Sequence, residues 1–186
     1  MYVAVDFGIS NTDLAISDQG KIVFHTTPSQ SSKINADTLK NILEKHEIDI
    51  SNVKKIGVTG GKSSDLDDSL DGVKIVKINE IEAIGLGAKK LYGIKEESTL
   101  VVSAGTGTAC VHIQDKTFNH LGGIAVGGGM LEGLGSLLFK NSNGLEINEF
   151  AKSGSRAELD LLIGDVVNKI GNLSPEITAV NFGQAK

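Results

Sequence analysis

The apolar run Tyr2 to Val5 ends in Asp6-Phe7-Gly8, and a second apolar stretch resumes at Leu14-Ala15-Ile16. Asp18-Gln19-Gly20 is a turn signal, and Lys21 to Thr26 reads as a third strand. These 26 residues predict a three-strand meander with a polar tip at Ile9-Ser10-Asn11-Thr12. A polar loop, Ser29 to Asn35, leads to Asp37–His46, where Leu39, Ile42 and Leu43 fall at helical spacing. Val53–Val58 is the next strand and runs into Thr59-Gly60-Gly61. The acidic stretch Asp65–Asp71 reads as a loop or short helical turn, and Val73–Ile78 as a strand. Glu80–Tyr92 reads as a helix with Ile81, Ile84 and Ala88 on one face and Asn79 as its N-cap.

A second meander starts at Thr99. It repeats the first at a separation of 97 positions, Gly8 to Gly105 and Asp18 to Asp115. In that register Val5 falls on Val102, Leu14 on Val111 and Ile16 on Ile113. The period is too long for a solenoid and implies two similar lobes, 1–97 and 98–186. The first copy continues as helix–strand–strand–helix. The second is followed by helices at Met130–Phe139, Ile147–Lys152 and Ala157–Ile170, the last capped by Ser155, and then by a tail. It therefore reads as an incomplete lobe carrying a helical insertion.

The totals narrow the function. With 186 residues, 40% hydrophobic and 22% charged, the chain has a globular composition. A net charge of -5 and the lack of a basic block argue against a nucleic-acid partner. No apolar run spans a bilayer and no leader precedes the first strand, so the expected compartment is the cytoplasm. The single cysteine, Cys110, excludes an internal disulfide and a cysteine-rich metal site, and reads as a buried small residue. His25, His46 and His120 show no metal-ligand spacing. The 23 glycines lie beside apolar strands rather than in linkers, which suits tight turns and close ligand approach.

Two glycine stretches offer backbone N–H groups sized for phosphate: Gly105-Thr106-Gly107-Thr108, and Gly127-Gly128-Gly129-Met130 at a helix start. Neither nucleotide fingerprint fits. Gly60-Gly61-Lys62-Ser63 lacks the upstream glycine of a P-loop, since position 56 is Ile56. The dinucleotide pattern fails at Cys110 and at Glu132. Asp6 at a strand end reads either as a hairpin cap or as a carboxylate holding hydrated Mg²⁺ while Gly8, Ser10 and Asn11 approach a phosphate. Glu80 reads either as a surface charge answering the helix dipole or as a general base for a substrate hydroxyl.

In order, Asp6-x-Gly8, Thr59-Gly60-Gly61, Asn79-Glu80, Gly105–Thr108, Gly122-Gly123, Gly127–Met130 with Gly133-Leu134-Gly135, and Thr178-Ala179-x-Asn181-Phe182-Gly183 resemble the type II, eukaryotic-like pantothenate kinases. The central glycine block and the Asn-Phe-Gly signature are the specific parts. The resemblance implies an α/β, ribonuclease H-like fold of the actin/Hsp70 ATPase type, with two βββαβα lobes and the second incomplete. It implies ATP and Mg²⁺ as cofactors, and phosphoryl transfer from ATP to the hydroxyl of pantothenate in coenzyme A synthesis. Carried over by position, Glu80 is the base and Asp6 the metal residue. Asp6, Gly8, Ser10, Asn11, Thr12 and Asp13 form a first phosphate loop. Gly105, Thr106, Gly107, Thr108, Gly127, Gly128, Gly129, Met130 and Leu131 form the rest of the nucleotide site. His120, Gly122 and Gly123 fall at the substrate position.

The chain departs from the family at Gly8-Ile9-Ser10 (usually Gly-Gly-Thr), at Asp13 (usually lysine) and at His120 (usually arginine). A neutral histidine cannot make arginine's bidentate contact. The alternatives are therefore a kinase for another small hydroxy acid and a degenerate ATP-binding regulatory module. An iron–sulfur ATPase activator is disfavoured by the single thiol. The helix-rich stretch Leu145–Ile170 reads either as a homodimer surface or as a cover for the second lobe.

Overall fold

The computed structural model describes residues 1–29, 33–61, 63–168 and 171–185. Lys62 of the discounted P-loop, the end of the predicted helix at Lys169-Ile170, and Lys186 lie outside the described residues. The chain divides into two compact units, Met1–Met130 and Leu131–Lys186.

The first unit opens with the predicted meander: β1 (Tyr2–Phe7), β2 (Asn11–Asp18) and β3 (Lys21–Pro28). Alternation along β1 buries Val3, Val5 and Phe7 and leaves Tyr2, Ala4 and Asp6 on the opposite face. Gln19 and Gly20, with φ of 46° and 80°, supply the left-handed pair that a two-residue hairpin turn needs. Helix α1 (Ala36–Lys45) is capped by the Asn35 side chain, which accepts from the Thr38 N–H at 2.9 Å. Its Leu39 and Leu43 lie on the buried face of the sheet with Val5, Leu14, Ile56 and Val58. β4 (Lys55–Thr59) then pairs parallel to β1, and β6 (Val73–Lys77) parallel to β4.

The acidic stretch differs from expectation. After a 3₁₀ turn at Ser63–Asp65, β5 (Ser69–Leu70) folds back on β6. Asp71 and Gly72, at φ 47° and 85°, make that reversal, so an Asp-Gly hairpin lies where the sequence reading expected a loop or helical turn. The sheet order is β3-β2-β1-β4-β6-β5. The parallel strands β1, β4 and β6 end together, at Asp6, Thr59 and Lys77.

Helix α2 (Glu80–Tyr92) has the predicted bounds, with Asn79 accepting from the Ile81 N–H at 2.9 Å and Gly93 ending it in the left-handed conformation. A separate sheet follows, β7 (Ser98–Ala104), β8 (Thr108–Gln114) and β9 (Thr117–Ile124). It repeats the first meander, with a correction to the register. Phe7 pairs with Thr12 across four intervening residues, but Ala104 pairs with Thr108 across three. Val102 accordingly faces Cys110 where Val5 faces Leu14. Val111 and Ile113 are fully buried, as Leu14 is buried, whereas Val102 is exposed and Val5 is not. Leu14 therefore keeps Val111 as its counterpart, and Val5 corresponds to Val101, which pairs with Val111, rather than to Val102. The shorter turn absorbs the one residue by which the two strands differ in separation. Cys110, expected to be buried, is half-buried.

The second unit holds most of α3 (Gly128–Phe139), α4 (Gly144–Lys152), a 3₁₀ turn at Arg156–Glu158, β10 (Leu161–Leu162), α5 (Ile163–Val166) and β11 (Thr178–Val180). The continuous helix expected over Ala157–Ile170 is not formed. Leu161 and Leu162 pair with β11, and the Ile163 and Gly164 N–H groups donate to Ile177 and Pro175. The Asp160 carboxylate accepts from the Thr178 hydroxyl at 3.0 Å and the Phe182 N–H at 2.9 Å. These long-range partners outbid the local helical ones. Ser155 precedes the 3₁₀ turn but makes no side-chain cap.

Candidate functional site

The site builds up where β1, β4 and β6 end, the edge of a parallel sheet where ligands bind. Asp6 is the last outward-facing residue of β1. It stands opposite Asp13 on β2 and Thr59 on β4. Gly60 and Gly61, both at positive φ, wrap the end of β1. A Cβ on Gly60 would strike the Asp6 carboxylate, and one on Gly61 would come within 2.8 Å of the Phe7 carbonyl. The Gly-Gly pair is thus needed for close approach rather than as part of a P-loop. The Ile78 N–H donates to the Val58 carbonyl at 2.9 Å, which fixes the entry to α2 and sets Glu80 at its first turn.

The Asp6 carboxyl is held above its ordinary range, first by burial, then by the Glu80 charge and then by Asp13. The Glu80 and Asp13 charges thus both act on Asp6. Asp13 is also bound by the Thr26 hydroxyl at 2.5 Å. The Thr59 hydroxyl, beside Asp6 in the sheet, is buried without a hydrogen-bond partner among the described residues.

The two glycine turns meet. Ser10 and Thr106 share a hydroxyl–hydroxyl hydrogen bond of 2.9 Å. Around Ser10, the Ser29 hydroxyl donates to the Gly8 carbonyl at 2.8 Å and the Ser29 N–H to the Ser10 carbonyl at 2.9 Å. Thr12 lies on the inner face of β2, its hydroxyl 3.3 Å from that of Ser29, and Asn11 is exposed at the strand start.

The third glycine run has a different task from the one its sequence suggested. The Gly128 and Gly129 N–H groups donate to the Gly105 and Thr106 carbonyls at 2.8 and 3.1 Å. A Cβ on Gly127 would fall 2.6 Å from the Thr106 carbonyl and 2.7 Å from that of Gly105. Gly127–Gly129 brace the Gly105–Thr108 turn from behind, and two of their donors are spent in doing so. Thr108 adds a 2.7 Å bond from its hydroxyl to the Val126 carbonyl. Met130 ends the first unit, and Leu131 begins the second.

His120 lies on β9. It pairs with Val111 beside a bulge that sets Cys110 opposite Gly122. Gly122 has φ of 139°, and Gly123 packs against the Thr108 carbonyl, where a Cβ would sit 2.5 Å away. The Gly122-Gly123 pair therefore shapes the wall beside Thr108. Thr59, Gly60 and Gly61 at the Asp6 end were not among the predicted site residues. The signal for them was a glycine pair directly after an apolar strand.

No three or more metal-ligating side chains cluster among the described residues. No helix among them is long and apolar enough to cross a membrane.

A family described as Fumble matches residues 95–186. Over 193 residues the chain is 33% identical to a type II pantothenate kinase of Bacillus thuringiensis subsp. konkukian (strain 97-27), covering 98% of this chain and 66% of that protein. A type II pantothenate kinase of Oceanobacillus iheyensis is 29% identical with the same coverage. The chain belongs to the type II pantothenate kinase family. It spans 66% of the length of these family members. Its fold is that of the actin-like ATPases. An activator of 2-hydroxyisocaproyl-CoA dehydratase from Clostridium difficile, solved with ADPNP, superposes with a TM-score of 0.62 at 16% identity, covering 86% of this chain and 59% of that one. A ROK family glucokinase from Streptomyces griseus, solved with glucose and AMPPNP, gives 0.56 at 15% identity, covering 82% and 71%.

Proposed function

We propose that the protein takes part in ATP-dependent phosphorylation of the pantothenate hydroxyl, the first step towards coenzyme A. The observation that carries this reading is the meeting of the two glycine turns at Ser10 and Thr106, on a site that also carries Asp6 and Glu80. The two meanders then face each other across the phosphates, as their repeat supports.

Phosphoryl transfer asks a protein mainly for position and charge neutralisation. In this reading the Gly105–Thr108 turn, braced by Gly127–Gly129, presents main-chain N–H groups and the Thr106 hydroxyl to the phosphate chain. Gly8, Ser10 and Asn11 approach from the other side. Glu80 accepts the proton of the substrate hydroxyl as the new O–P bond forms and the bond from γ-phosphorus to the β–γ bridging oxygen breaks. His120, with Gly122 and Gly123, borders the acceptor.

Asp6 fits a hydrated Mg²⁺. Its carboxylate is partly desolvated among negative neighbours, and the Thr59 hydroxyl beside it lacks a partner among the described residues. When bound, the ion supplies positive charge to the phosphate oxygens. A homodimer using α4 and the segment that follows it belongs to the same proposal, and light scattering tests it.

His120 in place of arginine favours one second reading, an acceptor other than pantothenate. Incubation with Mg·ATP and a panel of hydroxy acids, with products read by mass spectrometry, separates the two. Phosphopantothenate as the main product supports the first reading, and a different phosphorylated acid the second.

A further inference from the structure

Helix α2 leaves the six-stranded sheet at Ile78 but packs on the other one. Its body lies against β7, β8 and β9, with Gly85 and Ala88 buried there. The contact at Gly85 is close. A Cβ on that residue would strike Phe118 Cδ1 and lie 2.7 Å from Cε1, with Ile113 Cδ1 at 3.4 Å. Ile113 is fully buried, so the notch cannot relax inward. The Phe118 ring fills the space that the missing side chain leaves open. Gly87, two residues on, is the contrast: nothing lies within 4 Å of a Cβ built there.

Glu80 stands at the start of the same helix, about one and a half turns before Gly85. A helix this short moves as a stiff rod, and packed interfaces shift in discrete steps rather than deforming smoothly. The seating of the helix on β8 and β9 therefore reaches its first turn.

We propose that Gly85 and Phe118 are positioning residues for Glu80. Their contact seats α2 on the three-stranded sheet, so that the placement of Glu80 depends on that sheet as well as on the Ile78–Val58 bond to the six-stranded one. The proposal rests on the reading of Glu80 as the base. It ties Glu80 mechanically to both sheets.

The test uses the whole protein as Gly85→Ala, Gly87→Ala, Phe118→Leu and the Gly85→Ala/Phe118→Leu double variant. Two quantities are read: kcat and KM for phosphoryl transfer, and amide hydrogen exchange in the first turn of α2, at Ile81, Glu82 and Ala83. Gly85→Ala should lower kcat by at least ~10-fold, the scale of an ångström-level misplacement, with the KM for ATP little changed. It should also speed exchange in that first turn. Gly87→Ala should change neither. The double variant, with the ring trimmed, should return both towards wild type. If Gly85→Ala does not fold, Phe118→Leu alone should lower kcat and speed the exchange by loosening the seat. Wild-type kcat and unchanged exchange in Gly85→Ala would overturn the proposal, as would a double variant that restores neither. Absence of transfer in the wild type would count against the kinase reading, and the exchange rates then decide the positioning alone.

Discussion

Asp6 is the residue on which most of the local electrostatics turns. Burial and the Glu80 and Asp13 charges raise its pKa, so the folded chain holds this proton more tightly than the unfolded chain. The sign follows. Asp6 favours folding at acid pH, and the favour is lost as pH rises through its raised folded pKa. Asp6→Asn should therefore be more stable than wild type at pH 7, with the gap closing below about pH 4 as both chains become neutral there. Thermal unfolding across pH checks this. Mg²⁺ should raise the melting temperature of wild type and not of Asp6→Asn. His46 has the opposite sense. Burial, His25 and Lys45 lower its pKa, and its ring lies 4.6 Å from that of His25. Folding holds its proton less tightly, so stability should decline as pH falls from 7 through about 6.5, the unfolded value. His46→Gln should flatten that decline in the same unfolding series.

At the scale of elements, legibility followed the reach of the forces. Helix α2 was readable to the residue because its signals are local: an Asn cap and a 3.6-residue apolar pattern. The meanders were readable from apolar runs broken by turn residues. The register of the second was not, since the lost residue in the Gly105–Gly107 turn shows only in the pairing of Val102 with Cys110. The helix expected after Ser155 failed because Asp160 is bound by Thr178 and Phe182, about twenty positions away. Asp160→Ala should accordingly destabilise the second unit by about 1–3 kcal/mol, leaving the Phe182 N–H and Thr178 hydroxyl without their acceptor. Hydrogen exchange at Phe182 reads the effect locally. Leu39, fully buried in the core cluster, gives the contrast in the first unit: Leu39→Ala should cost about 3 kcal/mol in denaturant unfolding.

At the scale of the molecule, the site is a product of topology more than of any one motif. Three parallel strands end together, and each delivers a part: Asp6 from β1, the Thr59-Gly60-Gly61 turn from β4, and Glu80 after β6. The second meander brings its glycine turn to the first through Ser10 and Thr106. The sequence announced these pieces as strand ends followed by Gly, Asp or Glu. It did not announce that Gly128 and Gly129 spend their N–H groups holding Gly105 and Thr106, because that contact depends on how the turn after β9 folds back. The most direct measurement compares wild type with Glu80→Gln for transfer from labelled ATP to pantothenate, alongside calorimetric binding of Mg·ATP. The account predicts equal nucleotide affinity and a transfer rate lowered by about 10²–10⁴-fold in Glu80→Gln. Equal transfer by the two proteins would contradict it.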